Sequence, residues 1–137
     1  MSPMSAEENK QLVEHIFTEL ANGNPRPFMN NTSDDFRWTV TGSTPWSKTY
    51  EGKQAVFAEL FPALRSKLND RMRTIPDRLI AEGDLVVVEA HGENKTRSGK
   101  PYNNRYCFVI RVVDGKLREL TEYMDTALAV AALGDSA

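Results

Sequence analysis

Residues 106–124 read YCFVIRVVDGKLRELTEYM, two alternating runs on either side of Asp114-Gly115. An Asp-Gly pair between such runs is a strong signal for a two-residue β-hairpin. In a strand, residues two apart share a face. Asn104, Tyr106, Phe108 and Ile110 therefore form one set, and Cys107, Val109, Arg111 and Val113 the opposite one. On the second strand Leu120, Glu122 and Met124 fall together, with Glu119 on the other side. Working backwards, RSGKP (97–101) breaks off an earlier long strand, LVVVEAHGENKT (85–96). The turn Glu82-Gly83-Asp84 separates that strand from RMRTIPDRLIAEGD (71–84). The second half of the chain is thus a meander of long antiparallel strands.

The first half has a different period. Ser5 followed by Glu8 is a capping box, and Leu12, Val13, Ile16, Phe17 and Leu20 form one apolar stripe ending at Gly23. Asn24-Pro25 predicts a second, short helix with Asn as cap and Pro at its first position. DDFRWTVTG (34–42) alternates, with Phe36, Trp38 and Val40 on one face of a half-buried strand. STPWSKTYEG (43–52) reads as a loop in which Trp46 and Tyr50 could act as a lid. The helical period returns from Lys53 to about Leu68, and Pro62 should bend or interrupt it. At the other end, DTALAVAAL (125–133) reads as a terminal helix. Helices first and hairpins after indicate an α+β class and a single domain over 1–137, with a curved mixed or antiparallel sheet wrapped around helices.

Composition sets limits on function. The 137 residues carry 17 basic and 19 acidic side chains, a net charge of -2, with the basic residues scattered. That is no polyanion-binding footprint, so no nucleic-acid partner is expected. No apolar run approaches the roughly 20 residues that span a bilayer, and MSPMSAEENK lacks the pattern of a secretory signal. A cytoplasmic protein without a membrane partner is the expectation. The lone Cys107 excludes an internal disulfide. Two histidines without HxH or HExxH spacing give no metal site. There is no Gly-rich phosphate loop and no GxSxG elbow. No cofactor is implied.

YEGKQAVFAELF (50–61), GKPYNNRYCFVIRVVDGKL (99–117) and EYMDTAL (122–128) resemble the NTF2-like or SnoaL-like family, which includes ketosteroid isomerase, limonene epoxide hydrolase and polyketide cyclases. The likeness runs from about Glu7 to Leu133. It implies a cone-shaped fold with an internal pocket, and commonly a homodimer formed through the outer sheet face, here the face of Cys107, Val109, Arg111 and Val113. The fold hosts many unrelated activities. Carried over from ketosteroid isomerase, the general base falls on Val40 and the oxyanion donor at about Phe108, so both of its carboxyls are missing. Carried over from the epoxide hydrolase, its Arg and neighbouring Asp fall on Glu89 and His91, its second Asp on Glu122, and its water-holding Tyr and Asn on Trp38 and Val40.

The resemblance assigns the set Leu85, Val87, Glu89, His91 and Glu93 to the pocket, together with the sets containing Tyr106 and Glu122. A carboxylate between Leu120 and Met124 is costly to bury without a partner, and His91 is the natural candidate. The expected machinery is His91 as acid or base, Glu122 as its orienter and Glu89 as a second carboxylate, against a structural His–Glu pair that only satisfies buried groups. Trp38, Val40, Trp46, Asn104, Tyr106, Phe108, Leu120 and Met124 are the expected substrate-binding residues. Three have a plainer alternative: Trp38 as plain core, Tyr106 as a cap of the core with its hydroxyl in water, and Asn104 as a hydrogen bond to a loop. His15, opposite the apolar stripe of its helix, is expected to be exposed. Asp125 or Thr126 is expected to cap the last helix, a pocket role for Asp125 requiring a bulge. The functional expectation is a cofactor-independent acid–base enzyme of isomerase, cyclase, dehydratase or epoxide-hydrolase type, acting on a small, largely apolar oxygenated compound. The alternatives are a binding domain or a dimerisation scaffold with the same cone.

Overall fold

The Asp114-Gly115 turn forms as its chemistry requires. In the computed structural model, which describes residues 4–69 and 71–134, Asp114 has φ 52° and Gly115 φ 73°. This left-handed pair joins β8 (Arg105–Val113) to β9 (Lys116–Met124). The ends of the expected domain, residues 1–3 and 135–137, lie outside that description, as do the first residues of the leader reading.

β9 organises the sheet. It pairs antiparallel with β8 on one side and parallel with β1 (Thr32–Val40) on the other. β5 (Leu85–Gly92) and then β4 (Thr74–Glu82) extend the β8 side, and β2 (Thr49–Glu51) extends the β1 side. The order is β2-β1-β9-β8-β5-β4, a mixed, open sheet. Three short strands, β3 (Leu68–Asn69), β6 (Asn94–Thr96) and β7 (Pro101–Tyr102), form a second small sheet. Pro76 is tolerated because β4 is an edge strand, where a missing N–H breaks no inner ladder.

Register decides which side chains meet. Val88 pairs with Phe108, Phe108 with Glu122, and Glu122 with Val40, so these four share the inner face. One step along, Glu89 pairs with Cys107 and Cys107 with Tyr123, on the outer face.

Helices fill the inner face. α1 (Ala6–Ala21) starts with the predicted capping box, Ser5 N–H donating to Glu8 Oε1 at 2.9 Å and Glu8 N–H to Ser5 Oγ at 3.1 Å. It buries Val13, Ile16 and Phe17, lies against β4 and β5, and leaves His15 exposed. α2 (Arg26–Asn30) begins a residue later than predicted. Asn24 Oδ1 accepts from the Arg26 N–H at 3.2 Å, and Pro27 occupies the first turn.

Pro62 does not end the next helix. α3 (Lys53–Ala55) widens into a π turn at Val56–Leu60 and continues as α4 (Phe61–Lys67). The Phe61 N–H donates five residues back, to Val56 O. The wide turn places proline at the start of a new α segment, where its missing donor is harmless.

α5 (Thr126–Leu133) is capped by Asp125, whose Oδ1 accepts from the Leu128 N–H at 3.1 Å. Asp125 is therefore a cap and its side chain does not enter the cavity described below. Asp125→Ala should cost about 1 kcal/mol of stability in urea unfolding. Among the described residues, no helix is long and apolar enough to cross a membrane.

Candidate functional site

Between the inner sheet face and the helices lies a cavity of about 430 Å³. Phe28, Phe57, Phe61, Phe108 and Trp38 wall it, packed largely edge to face at centroid separations of 5.4–6.4 Å. Into this apolar surface β9 delivers one carboxyl group. Glu122 is flanked on its own strand by Leu120 and Met124 and laterally by Phe108 and Val40. It keeps 8% of its surface accessible and lines the cavity.

Trp38 projects from β1 beside Leu120, and its Nε1–H donates to Glu122 Oε1 at 2.8 Å. Burial pushes the Glu122 carboxyl up to about 7, against the opposing pull of that hydrogen bond. A carboxyl in this state is divided between acid and carboxylate near neutral pH.

Two phenols also line the cavity, together with Asn94 and Thr74. Tyr106 stacks on Phe108 at 5.3 Å and 12°. The Tyr102 hydroxyl accepts from Asn104 Nδ2 at 3.0 Å, and the Tyr106 phenol lies close enough to influence it. Burial raises both phenols above the ordinary tyrosine value, so both stay protonated. Each protonated hydroxyl can donate to a ligand oxygen in the cavity both rings line.

The expected His91–Glu122 dyad does not form. His91 and Glu89 stand on the outer face, their side chains 33% and 44% exposed. The inner set of β5 is Val86, Val88, Ala90 and Gly92, so the count that brought Glu89 and His91 into the pocket is one residue out. Leu85, Val87 and Glu93 move to the outside with them. His91 Nδ1 instead meets Asp77 Oδ1 and Oδ2 at 2.9 and 2.8 Å, and its Nε2 meets Glu93 Oε2 at 3.3 Å. Glu89 Oε1 accepts from Arg78 Nε at 2.5 Å. Glu119, predicted to face away from Glu122, accepts from Arg37 on that outer side at 2.6 Å.

The Asp77 hydrogen bond holds the His91 pKa above its ordinary value, opposed by partial desolvation and helped by Glu93. In an NMR titration, Asp77→Asn should lower the His91 midpoint and Glu122→Gln should leave it in place. The raised value means the Asp77 contact stabilises the fold at acidic pH and fades as pH rises through the His91 midpoint.

Trp38, Val40, Phe108, Leu120, Met124 and Tyr106 line the cavity as expected. Trp46 also lines it, but as fixed wall and not as lid. It is 2% exposed, and its Nε1–H donates to Gly134 O at 2.8 Å. Tyr50 is buried at 5%, in β2, under the Lys48 ammonium. Asn104 does not touch the cavity. Fully buried, it accepts from the Asp125 N–H and donates to Asp125 O, tying the start of β8 to the cap of α5.

Sequence reasoning missed Tyr102, although it shares the two-residue spacing of Asn104 and Tyr106. It also missed Asp77, which is the extra residue of a bulge between Pro76 and Arg78 and so has no place in a simple register. Among the described residues, no cluster of His, Cys, Asp and Glu is placed to hold a metal ion.

Residues 13–120 match the family model described as SnoaL-like domain. No curated protein matches the chain. Among solved structures, an NTF2-like protein from Burkholderia xenovorans LB400 is 24% identical, with a TM-score of 0.76, over 95% of this chain and 98% of that one. A protein provisionally assigned as a SnoaL-like polyketide cyclase, from Jannaschia sp. CCS1, is 19% identical, with a TM-score of 0.77, over 98% and 96%. A hypothetical protein with a ketosteroid isomerase-like fold from Catenulispora acidiphila, in complex with trimethylamine, is 13% identical, with a TM-score of 0.73, over 91% and 93%.

Proposed function

The chain belongs to the SnoaL-like domain family, and from that premise we propose an acid–base catalyst that moves a proton beside a carbonyl in a small, largely apolar substrate. The observation that carries the reading is Glu122, a buried carboxyl in an aromatic cavity, poised at about 7 and held by the Trp38 N–H. A proton carrier works best when its pKa lies near the working pH.

In the carboxylate form Glu122 takes a proton from the carbon next to the carbonyl. The C–H electron pair becomes the C=C bond of an enolate, and the carbonyl π pair moves to oxygen. A protonated tyrosine hydroxyl, Tyr102 or Tyr106, hydrogen-bonds that oxygen. Glu122, now an acid, returns its proton to a different carbon, which completes an isomerisation. Alternatively the enolate carbon attacks a second carbonyl and the proton goes to the new alkoxide, which closes a ring. Of the reactions expected from the sequence, these two suit a single carboxyl. The expected three-residue arrangement for epoxide opening loses Glu89 and His91 to the outer face. The aromatic walls keep water out and strengthen both hydrogen bonds.

The test is α-proton exchange of a bicyclic ketone such as 2-tetralone in deuterated buffer, followed by NMR. Wild-type protein should accelerate exchange, with a rate that rises as pH rises through about 7 because the base form is needed. Glu122→Gln should lower it about 10²–10⁴-fold. Equal exchange by both proteins would reject the catalytic reading and leave a ligand-binding chamber.

A further inference from the structure

We propose that the substrate carries an anionic group, carboxylate or sulfonate, which stays at the cavity mouth on Arg65 and Arg71 while its ring body fills the aromatic interior. This rests on the reading of the cavity as a substrate site and adds the class of substrate.

The residues lining the cavity divide by charge along its length. Among the described residues, Glu122 is the only lining group with a carboxyl, and it is buried. Arg65 and Arg71 are the only lining cations, and both are exposed, which puts them at the open end. Arg65 belongs to α4, one residue after the lining residue Leu64. Arg71 follows β3 and lays its guanidinium against Gly23, where a Cβ would stand only 1.9 Å from Nη1. The missing side chain and the φ of +87° make the seat in which that guanidinium rests.

Neither guanidinium takes part in an ion pair or a side-chain hydrogen bond among the described residues. The arginines of the outer sheet face behave differently. Arg37, Arg78, Arg111 and Arg118 are each joined to a carboxylate at 2.5–3.0 Å. Two cations that are unpaired among the described residues, beside an apolar chamber whose one lining carboxylate among those residues is at its closed end, suit a ligand that is apolar at one end and anionic at the other. Guanidinium donors match the paired oxygens of a carboxylate or sulfonate. The ligand is then oriented, its acidic group outside and its reacting carbonyl next to Glu122 and the tyrosine pair.

Two dyes that share one ring system isolate the charge. 1-Anilinonaphthalene-8-sulfonate is N-phenyl-1-naphthylamine with a sulfonate added. Fluorescence titrations at pH 6 should show the sulfonate binding about tenfold more tightly than the neutral amine. In Arg65→Gln/Arg71→Gln that ratio should fall to about one, and 0.5 M salt should reduce it in wild type. Arg78→Gln on the outer face should leave the ratio as it is. A neutral dye that binds as tightly as the sulfonate, or a ratio unchanged in the double variant, would overturn the anionic-substrate proposal. The Glu122-dependent exchange of 2-tetralone would stand in that case, because it uses a neutral ketone. If neither dye binds, the cavity does not admit ligands and both readings fall.

Discussion

Glu122→Gln should stabilise the protein by about 3 kcal/mol at pH 8 and by almost nothing at pH 4. The folded chain holds the Glu122 proton up to about 7, whereas an exposed glutamate releases it near 4.5. Between those values the folded state binds more protons than the unfolded one, so stability falls as pH rises. Below about 4.5 the carboxyl is protonated in both states and costs little. Above 7 the full cost of a buried charge is present. The difference of about 2.5 pH units, at about 1.36 kcal/mol each, gives the magnitude. Glutamine keeps the shape and an oxygen for the Trp38 N–H but cannot ionise. Urea unfolding of both proteins at pH 4, 6 and 8 measures this, and parallel curves would show that Glu122 is not buried as described. The same substitution should cost most of the exchange activity, a trade of stability for function in one residue.

Phe36→Ala should destabilise by about 3–5 kcal/mol at every one of those pH values. Phe36 is fully buried and meets Phe28 at 6.1 Å and Trp38 at 6.3 Å, edge to face with both. It does not line the cavity, so its loss opens a new void behind the wall. The ring that loses support is Trp38, the donor to Glu122. A weaker Trp38 contact raises the Glu122 pKa further, so the activity that remains should need a higher pH. Ile80→Thr is the matched control. Ile80 is 52% exposed on the edge strand, and its replacement should stay within about 0.5 kcal/mol.

Most of the architecture was legible because it rests on local chemistry. The capping box of α1, the Asp-Gly hairpin and the alternation in β1, β8 and β9 are each written within a few residues. They set Trp38 with Val40, and Leu120 with Glu122 and Met124, each on one face of its own strand, and the family resemblance then assigned those faces and that of Phe108 to one pocket. The error came in β5, where Leu85, Val87, Glu89 and His91 were mistaken for a strand running from floor to mouth. Val86, Val88, Ala90 and Gly92 were the better inner set, small and apolar throughout, but only the cross-strand pairing of Val88 with Phe108 selects between the two. Long-range partners stayed hidden for the same reason. The bond from Trp46 to Gly134 spans 88 residues, and Asp77 reaches His91 from a bulge. The Trp38 contact to Glu122 crosses a parallel pairing between the first and last strands of the sheet's core.

The π turn at Val56–Leu60 carries one residue more than an α-helix needs for the same rise, and it carries it in the roof over Glu122. Removing a residue there would let the helix close into regular α form, and the segments on either side would keep nearly the same phase, because the wide turn is what absorbs the extra residue. Phe57 and Phe61, now four apart and both turned into the chamber, would stand three apart, still on one face but shifted against each other. A single-codon deletion would therefore change the roof only locally, at the offset between two of its rings, while β1, β8 and β9, and with them Glu122, stay where they are. The shape of the chamber is in this way adjustable by one residue in the roof, a step that one insertion reverses and that leaves the wall residues of the sheet untouched.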